Sequence, residues 1–204
     1  HHEPPFSLLN SQYQFYDNEF ERYWYFFQTF GRVAYHPASA ADAWKYEFKK
    51  RFGNEAAPIL EKALSQASWV LPRIITSTYP YREFPMTRGW AEKERLRDLP
   101  EYAKSQFSDL AQFANFEEEA ELLLSGEETA RMLPSENSHW FYQVSDSLNQ
   151  WISQVENLSG MEDTRELETT LVDLKILSNL ALYHARRIPA GIYYCLFEKT
   201  NNTE

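Results

Sequence analysis

Apolar residues recur three and four positions apart along most of this 204-residue chain, and that period commits it to helices. The pattern is clearest where Phe141, Val144, Leu148, Trp151, Ile152, Val155 and Leu158 fall on one helical face. Between Ser11 and Gly31 the repeating positions are all rings: Tyr13, Tyr16, Phe20, Tyr23, Trp24, Phe27 and Phe30. No strand of convincing length can be read from a period of two. Glycine contributes only 6 of 204 residues, too few for the many tight turns of a sandwich or barrel. The prediction is an all-α fold, a helical bundle-like domain of six to eight helices with one long irregular loop.

Local signals place the breaks. Gly31 and Pro37 are expected to end the first helix, Ser39 to cap a second that carries Trp44, Phe48 and Phe52, and Gly53 to stop it. A third helix starts near Asn54, with Ala57, Leu60, Leu64, Ala67 and Leu71 on one face, and Pro72 is expected to bend or end it. Between Ile74 and Pro100 the period fails, and the prolines of Thr76-Ser77-Thr78-Tyr79-Pro80-Tyr81-Arg82-Glu83-Phe84-Pro85 imply an extended loop. Pro100 suits the first turn of a helix reaching Leu124, with Glu117, Glu118, Glu119 and Glu121 on its solvated face. Ser125-Gly126-Glu127-Glu128 has the form of a capping box opening a short helix that Pro134 closes, and Ser135 or Asn137 starts the next, which runs to Gly160. Asp163 with Glu166 resembles a further capping box, ahead of a final helix that Pro189 should kink. Residues 1–10 are expected to be a disordered end or a linker. Residues 11–204 are expected to form a single domain, divisible into 11–124 and 125–198.

Composition removes several functions. The chain holds 30 acidic and 20 basic side chains, a formal charge of −10, so phosphate backbones and anionic membranes are repelled, and neither nucleic acid nor membrane is expected as a partner. No apolar run approaches the roughly 20 residues that span a bilayer. No glycine-rich phosphate loop occurs, no G-x-S-x-G elbow occurs, and no catalytic acid pair can be named. Cys195, the only cysteine, allows no intrachain disulfide and fits a buried, inert thiol. His36, His139 and His184 stand apart without ligand spacing, so no metal and no cofactor is expected, and His184 lies on the apolar stripe of the last helix.

The 33 aromatics, given by 6 Trp, 13 Tyr and 14 Phe, are the remaining candidates, because exposed rings stack on sugar faces. The spacing of Phe20, Trp24, Phe27 and Trp44 assigns these rings to the core. Tyr79, Tyr81, Phe84 and Trp90, with Arg82 among them, lie in the irregular stretch where exposure is expected, and are candidate glycan contacts.

The run Trp24-Tyr25-Phe26-Phe27-Gln28-Thr29-Phe30-Gly31-Arg32-Val33-Ala34-Tyr35-His36-Pro37, followed by Trp44 and Phe52-Gly53, resembles a segment of α-glucuronidases. It is also similar to helical segments of other glycoside hydrolases from polysaccharide-degrading bacteria. Ala67-Ser68-Trp69-Val70-Leu71-Pro72 extends the similarity, which covers residues 18 to 73. His36 departs from the acidic or amide residue usual there, and no barrel segment with catalytic carboxylates is present. The resemblance implies a non-catalytic accessory domain that packs on the catalytic domain of the same polypeptide, completes a substrate cleft or supports a homodimer. It implies a periplasmic or secreted location, although the single cysteine fits the cytosol equally well, and Arg32 and Tyr35 could face a sugar carboxylate. The start His1-His2-Glu3-Pro4-Pro5 reads as that of an excised piece. A free-standing module that binds a glycan or a protein, and a small helical glycosidase with an unidentified carboxylate pair, are the alternatives.

Overall fold

A computed structural model describes residues 16, 18–38, 42–77, 98–104, 109–158 and 164–202. The expected Ser39 cap, most of the loop before Pro100, and Gly160 and Asp163 lie outside these residues. The protein is all-α. The described helices are α1 (Glu19–Arg22), α2 (Trp24–Tyr35), α3 (Asp42–Ala67), α4 (Val70–Ser77), α5 (Leu99–Ala103), α6 (Phe116–Ser125), α7 (Pro134–Glu156) and α8 (Arg165–Thr200). Among the described residues there is no strand, only an isolated bridge between Phe113 and Met132. The chain divides into two compact units, His1–Leu64 with Gln150–Lys175, and Ser65–Asn149 with Ile176–Glu204.

In the first unit the core is aromatic around Phe48. Its ring meets Trp24 and Tyr25 edge-on, each at 4.9 Å, and leans toward Phe52 at 6.0 Å. Burying a ring of this size stabilises by about 2–3 kcal/mol. Gly53 takes φ 75° and ψ 172°, so two helices meet there within α3, as its sequence position predicts. Arg51 organises the surrounding charge: it donates to Glu47 at 3.0 Å and Glu166 at 2.8 Å, and lies 4.6 Å from the Trp24 ring centre. The Tyr16 hydroxyl also donates to Glu166, at 2.9 Å. Burial raises the Tyr16 pKa, and that hydrogen bond adds to the effect.

In the second unit α6, α7 and α8 bury Phe116, Phe141, Val144, Ala181, Ala185 and Ile188. A Cβ placed on Gly191 would come within 3.2 Å of the Phe116 ring, so glycine is what lets α8 approach α6. Pro189 leaves the Ala185 carbonyl without its helical N–H, and α8 nevertheless continues to Thr200. The Ser138 hydroxyl of α7 takes that N–H's place, donating to the Ala185 carbonyl at 2.7 Å. The Ser178 hydroxyl likewise finds polar partners, lying 3.1 Å from Ser145 Oγ and donating to Asn149 Oδ1 at 2.9 Å.

Several expected boundaries are corrected. Gly31 lies inside α2, which runs on to Tyr35. Pro72 does not end the third helix: α3 stops at Ala67, and Pro72 falls in the first turn of α4, where its missing N–H costs no hydrogen bond. Leu71, placed on the buried face by its spacing, is half exposed. The helix expected from Pro100 to Leu124 is two helices. Asp98 caps α5 by accepting the Glu101 N–H, whereas Asn115 and Glu118 form a reciprocal capping box that starts α6 afresh. Ser125-Gly126 is an end rather than a start, because Gly126 takes the left-handed φ of 74° that closes α6. Residues 127–133 form no helix, and Pro134 opens α7 instead of closing a helix. For α8 the Thr164 hydroxyl accepts the Leu167 N–H at 3.3 Å and serves as the cap.

Candidate functional site

The helix α2 is built with its polarity reversed. Its apolar residues Phe26, Phe27, Phe30 and Val33, with Tyr23 at the N-cap, follow the i, i+3, i+4, i+7 rule of a core-facing stripe, yet all of them are exposed. Phe26 is 60%, Phe27 50% and Phe30 63% exposed. Phe26 stacks on Phe30 at 5.7 Å with planes 13° apart, and meets Phe27 edge-on at 5.4 Å, so the rings form one continuous surface. The opposite side carries Trp24, Tyr25, Gln28 and Thr29, which are buried or half-buried. Gln28 Oε1 and Thr29 Oγ1 are buried there without a hydrogen-bond partner.

Two contacts fix this orientation within the first unit. Arg22, just ahead of α2, reaches both carboxylate oxygens of Asp173 at 2.8 Å. Trp24 is trapped between Phe48 and the Arg51 guanidinium. With Trp24 inward, the helical period turns Phe26, Phe27 and Phe30 outward. The assignment of Trp24 to the core is correct and that of Phe20 and Phe27 is not: Phe20 is 60% exposed. Trp44 is partly buried, its indole N–H donating to Glu61 at 3.1 Å. The error has a physical reason, since spacing identifies a stripe but cannot say which side of the helix meets the rest of the unit.

Of the candidate site residues, Arg32 and Tyr35 lie together at the end of α2, where Arg32 is the basic residue of the last turn. Tyr35 is 92% exposed, so its ring adds nothing to the packing of the turn. Tyr79, Tyr81, Arg82 and Trp90 lie outside the described residues. α2 contains no acidic residue and one arginine, in a chain of net charge −10.

The other candidate groups have structural partners. Of the acidic run, Glu117 and Glu121 pair with Lys199, Glu118 caps α6 and pairs with Arg131, and Glu119 is buried. The expectation that Glu119 belongs to the solvated face is therefore corrected. Cys195 is buried with its thiol toward the Ala103 carbonyl, and burial raises its pKa to about 11. His184 lies between Phe141 and Tyr183, and burial, with the charge of Arg187, lowers its pKa to about 4. Among the described residues no three His, Cys, Asp or Glu side chains group as metal ligands, and no helix is long and apolar enough to cross a membrane. No protein-family model matches the chain, and neither a curated protein nor a solved structure matches it.

Proposed function

We propose that this chain is a non-catalytic helical interaction module that docks, through the ring face of α2, on another folded protein domain. The carrying observation is the reversed polarity of that helix: Phe26, Phe27 and Phe30 face solvent while Gln28 and Thr29 are turned inward. The rings offer on the order of a few hundred Å² of contiguous apolar surface, the scale at which exposure signals an interface. The face carries no acid, so the partner it fits is an apolar protein surface. Phe26, Phe27 and Phe30 have no hydroxyl or N–H with which to bond sugar hydroxyls, which favours a protein occupant over a glycan. The segment resembling α-glucuronidases includes the whole of α2. On that reading the partner is the catalytic domain of a glycoside hydrolase in the same polypeptide.

The test is to express this chain and such a catalytic domain as separate polypeptides and titrate one with the other by calorimetry. Binding with a Kd of about 1 μM, lost in the double variant Phe26→Ser and Phe30→Ser, is the expected result. A polypeptide with no catalytic domain beside this chain, or binding indifferent to both substitutions, overturns it. Heat with uronic-acid oligosaccharides and none with the domain would establish the glycan-binding reading instead.

A further inference from the structure

Arg73, on α4 in the second unit, is poorly matched to its surroundings. Its guanidinium carbon lies 5.1 Å from the Phe113 ring centre and 5.2 Å from that of Trp140. Nε–H donates to Asn137 Oδ1 at 2.8 Å, and Nη2 has only the Met132 thioether, a weak acceptor. No carboxylate among the described residues forms an ion pair with it. Burial lowers its pKa, and the charge of Glu136 offsets this only in part. Beside it Asn137 is fully buried, yet its Nδ2 has no hydrogen-bond partner. The amide cannot turn over to cure this, because Oδ1 is held by the Arg73 Nε–H. A cation paired with a thioether and a buried donor with no acceptor thus occur on adjoining side chains, and one anionic acceptor would satisfy both.

We propose that Arg73 and Asn137 bind the carboxylate of an organic acid, which displaces the Met132 thioether and lays its apolar body along the half-buried Trp140 ring. Methionine suits the displaced position because its unbranched side chain moves at low cost. The charge of −10 disfavours a dianionic phosphate relative to a monocarboxylate at the same arginine.

The test titrates the full chain with benzoate, with the neutral isostere benzamide and with inorganic phosphate, following the side-chain N–H signals of Asn137 and Arg73 by NMR. Benzoate should move both signals saturably, with a Kd on the order of 1 mM, while benzamide moves neither. Arg73→Gln should weaken benzoate at least about tenfold. Met132→Leu, which keeps the side-chain volume and removes the competing sulfur, should bind benzoate at least as tightly as the wild type, and it reports even if Arg73→Gln fails to fold. Absence of an Asn137 shift with benzoate, equal shifts with benzamide, or tighter binding of phosphate would each overturn the proposal. Binding of a glutamate-containing peptide without binding of benzoate would overturn the free organic acid as the source of the carboxylate.

Discussion

The Ser138 hydroxyl donates to the Ala185 carbonyl at 2.7 Å, and Ala185 is the residue whose helical hydrogen bond Pro189 removes. A side chain of α7 thereby repairs a defect that the sequence of α8 builds in. Ser138→Ala leaves a buried carbonyl unsatisfied and should cost ~1–3 kcal/mol. In a Pro189→Ala background the N–H returns and the same substitution should cost about 1 kcal/mol less. Urea denaturation of the four proteins measures this coupling, and additive costs would refute the repair.

His184 provides an acid-sensitive element. Its pKa falls from 6.5 to about 4 on folding, so the native state holds it neutral and the unfolded chain takes up the proton first. The stability it contributes is complete above pH 6.5 and is lost as pH falls through about 4. The loss should reach about 3 kcal/mol. Stability measured against pH for wild type and His184→Gln tests this: the variant should lose that part of the slope, and identical slopes would exclude His184 as the group responsible.

Glu119 acts with the opposite sign. Its side chain is 2% exposed and accepts the Ser135 N–H at 3.0 Å, in the first turn of α7. Burial raises its pKa, a shift that the Ser135 hydrogen bonds only moderate. The native state therefore holds this proton more tightly than the unfolded chain, and the stability it brings is present in acid and lost as pH rises through the folded value. Glu119→Gln keeps an acceptor for Ser135 without the buried charge. It should be at least as stable as wild type at pH 7, with the difference closing as the pH is lowered through the carboxylate range. Thermal denaturation across that range decides it, and a variant that is less stable at pH 7 would contradict the reading.

Cys195 should be inert while the protein is folded. A shift from 9.0 to about 11 cuts the thiolate fraction at neutral pH by ~100-fold, and burial adds a steric barrier. The native protein should react with an aromatic disulfide reagent at least ~100-fold more slowly than the urea-unfolded chain. Equal rates would show that the thiol is accessible.

Much of the helical content was legible because its signals are local. The stripe from Phe141 to Val155 is α7, Gly53 breaks α3 as a glycine with positive φ does, and His184 and Cys195 are buried where the apolar period places them. The corrected boundaries have local signals too: Asn115 three residues before Glu118 is itself a capping pattern, which the continuing run of apolar residues obscures. The candidate site was less legible. Arg32 and Tyr35 lie at the end of α2, but the core-like spacing of Phe26, Phe27 and Phe30 conceals their exposure, and nothing in local spacing singles out Arg73 or Asn137.

That this chain is helical follows from local pattern, because apolar residues three and four apart gather on one face while the backbone hydrogen bonds close within each segment. Which face lies inside is set by packing between elements. In α2 the anchoring of Trp24 by Phe48 and Arg51 outweighs the larger stripe of rings, and so turns that stripe to solvent. Likewise, only the approach of α7 to α8 supplied the Ser138 hydroxyl that lets a proline stand within a 36-residue helix. Both outcomes depend on contacts between residues far apart in the chain, which periodicity, a property of near neighbours, does not encode.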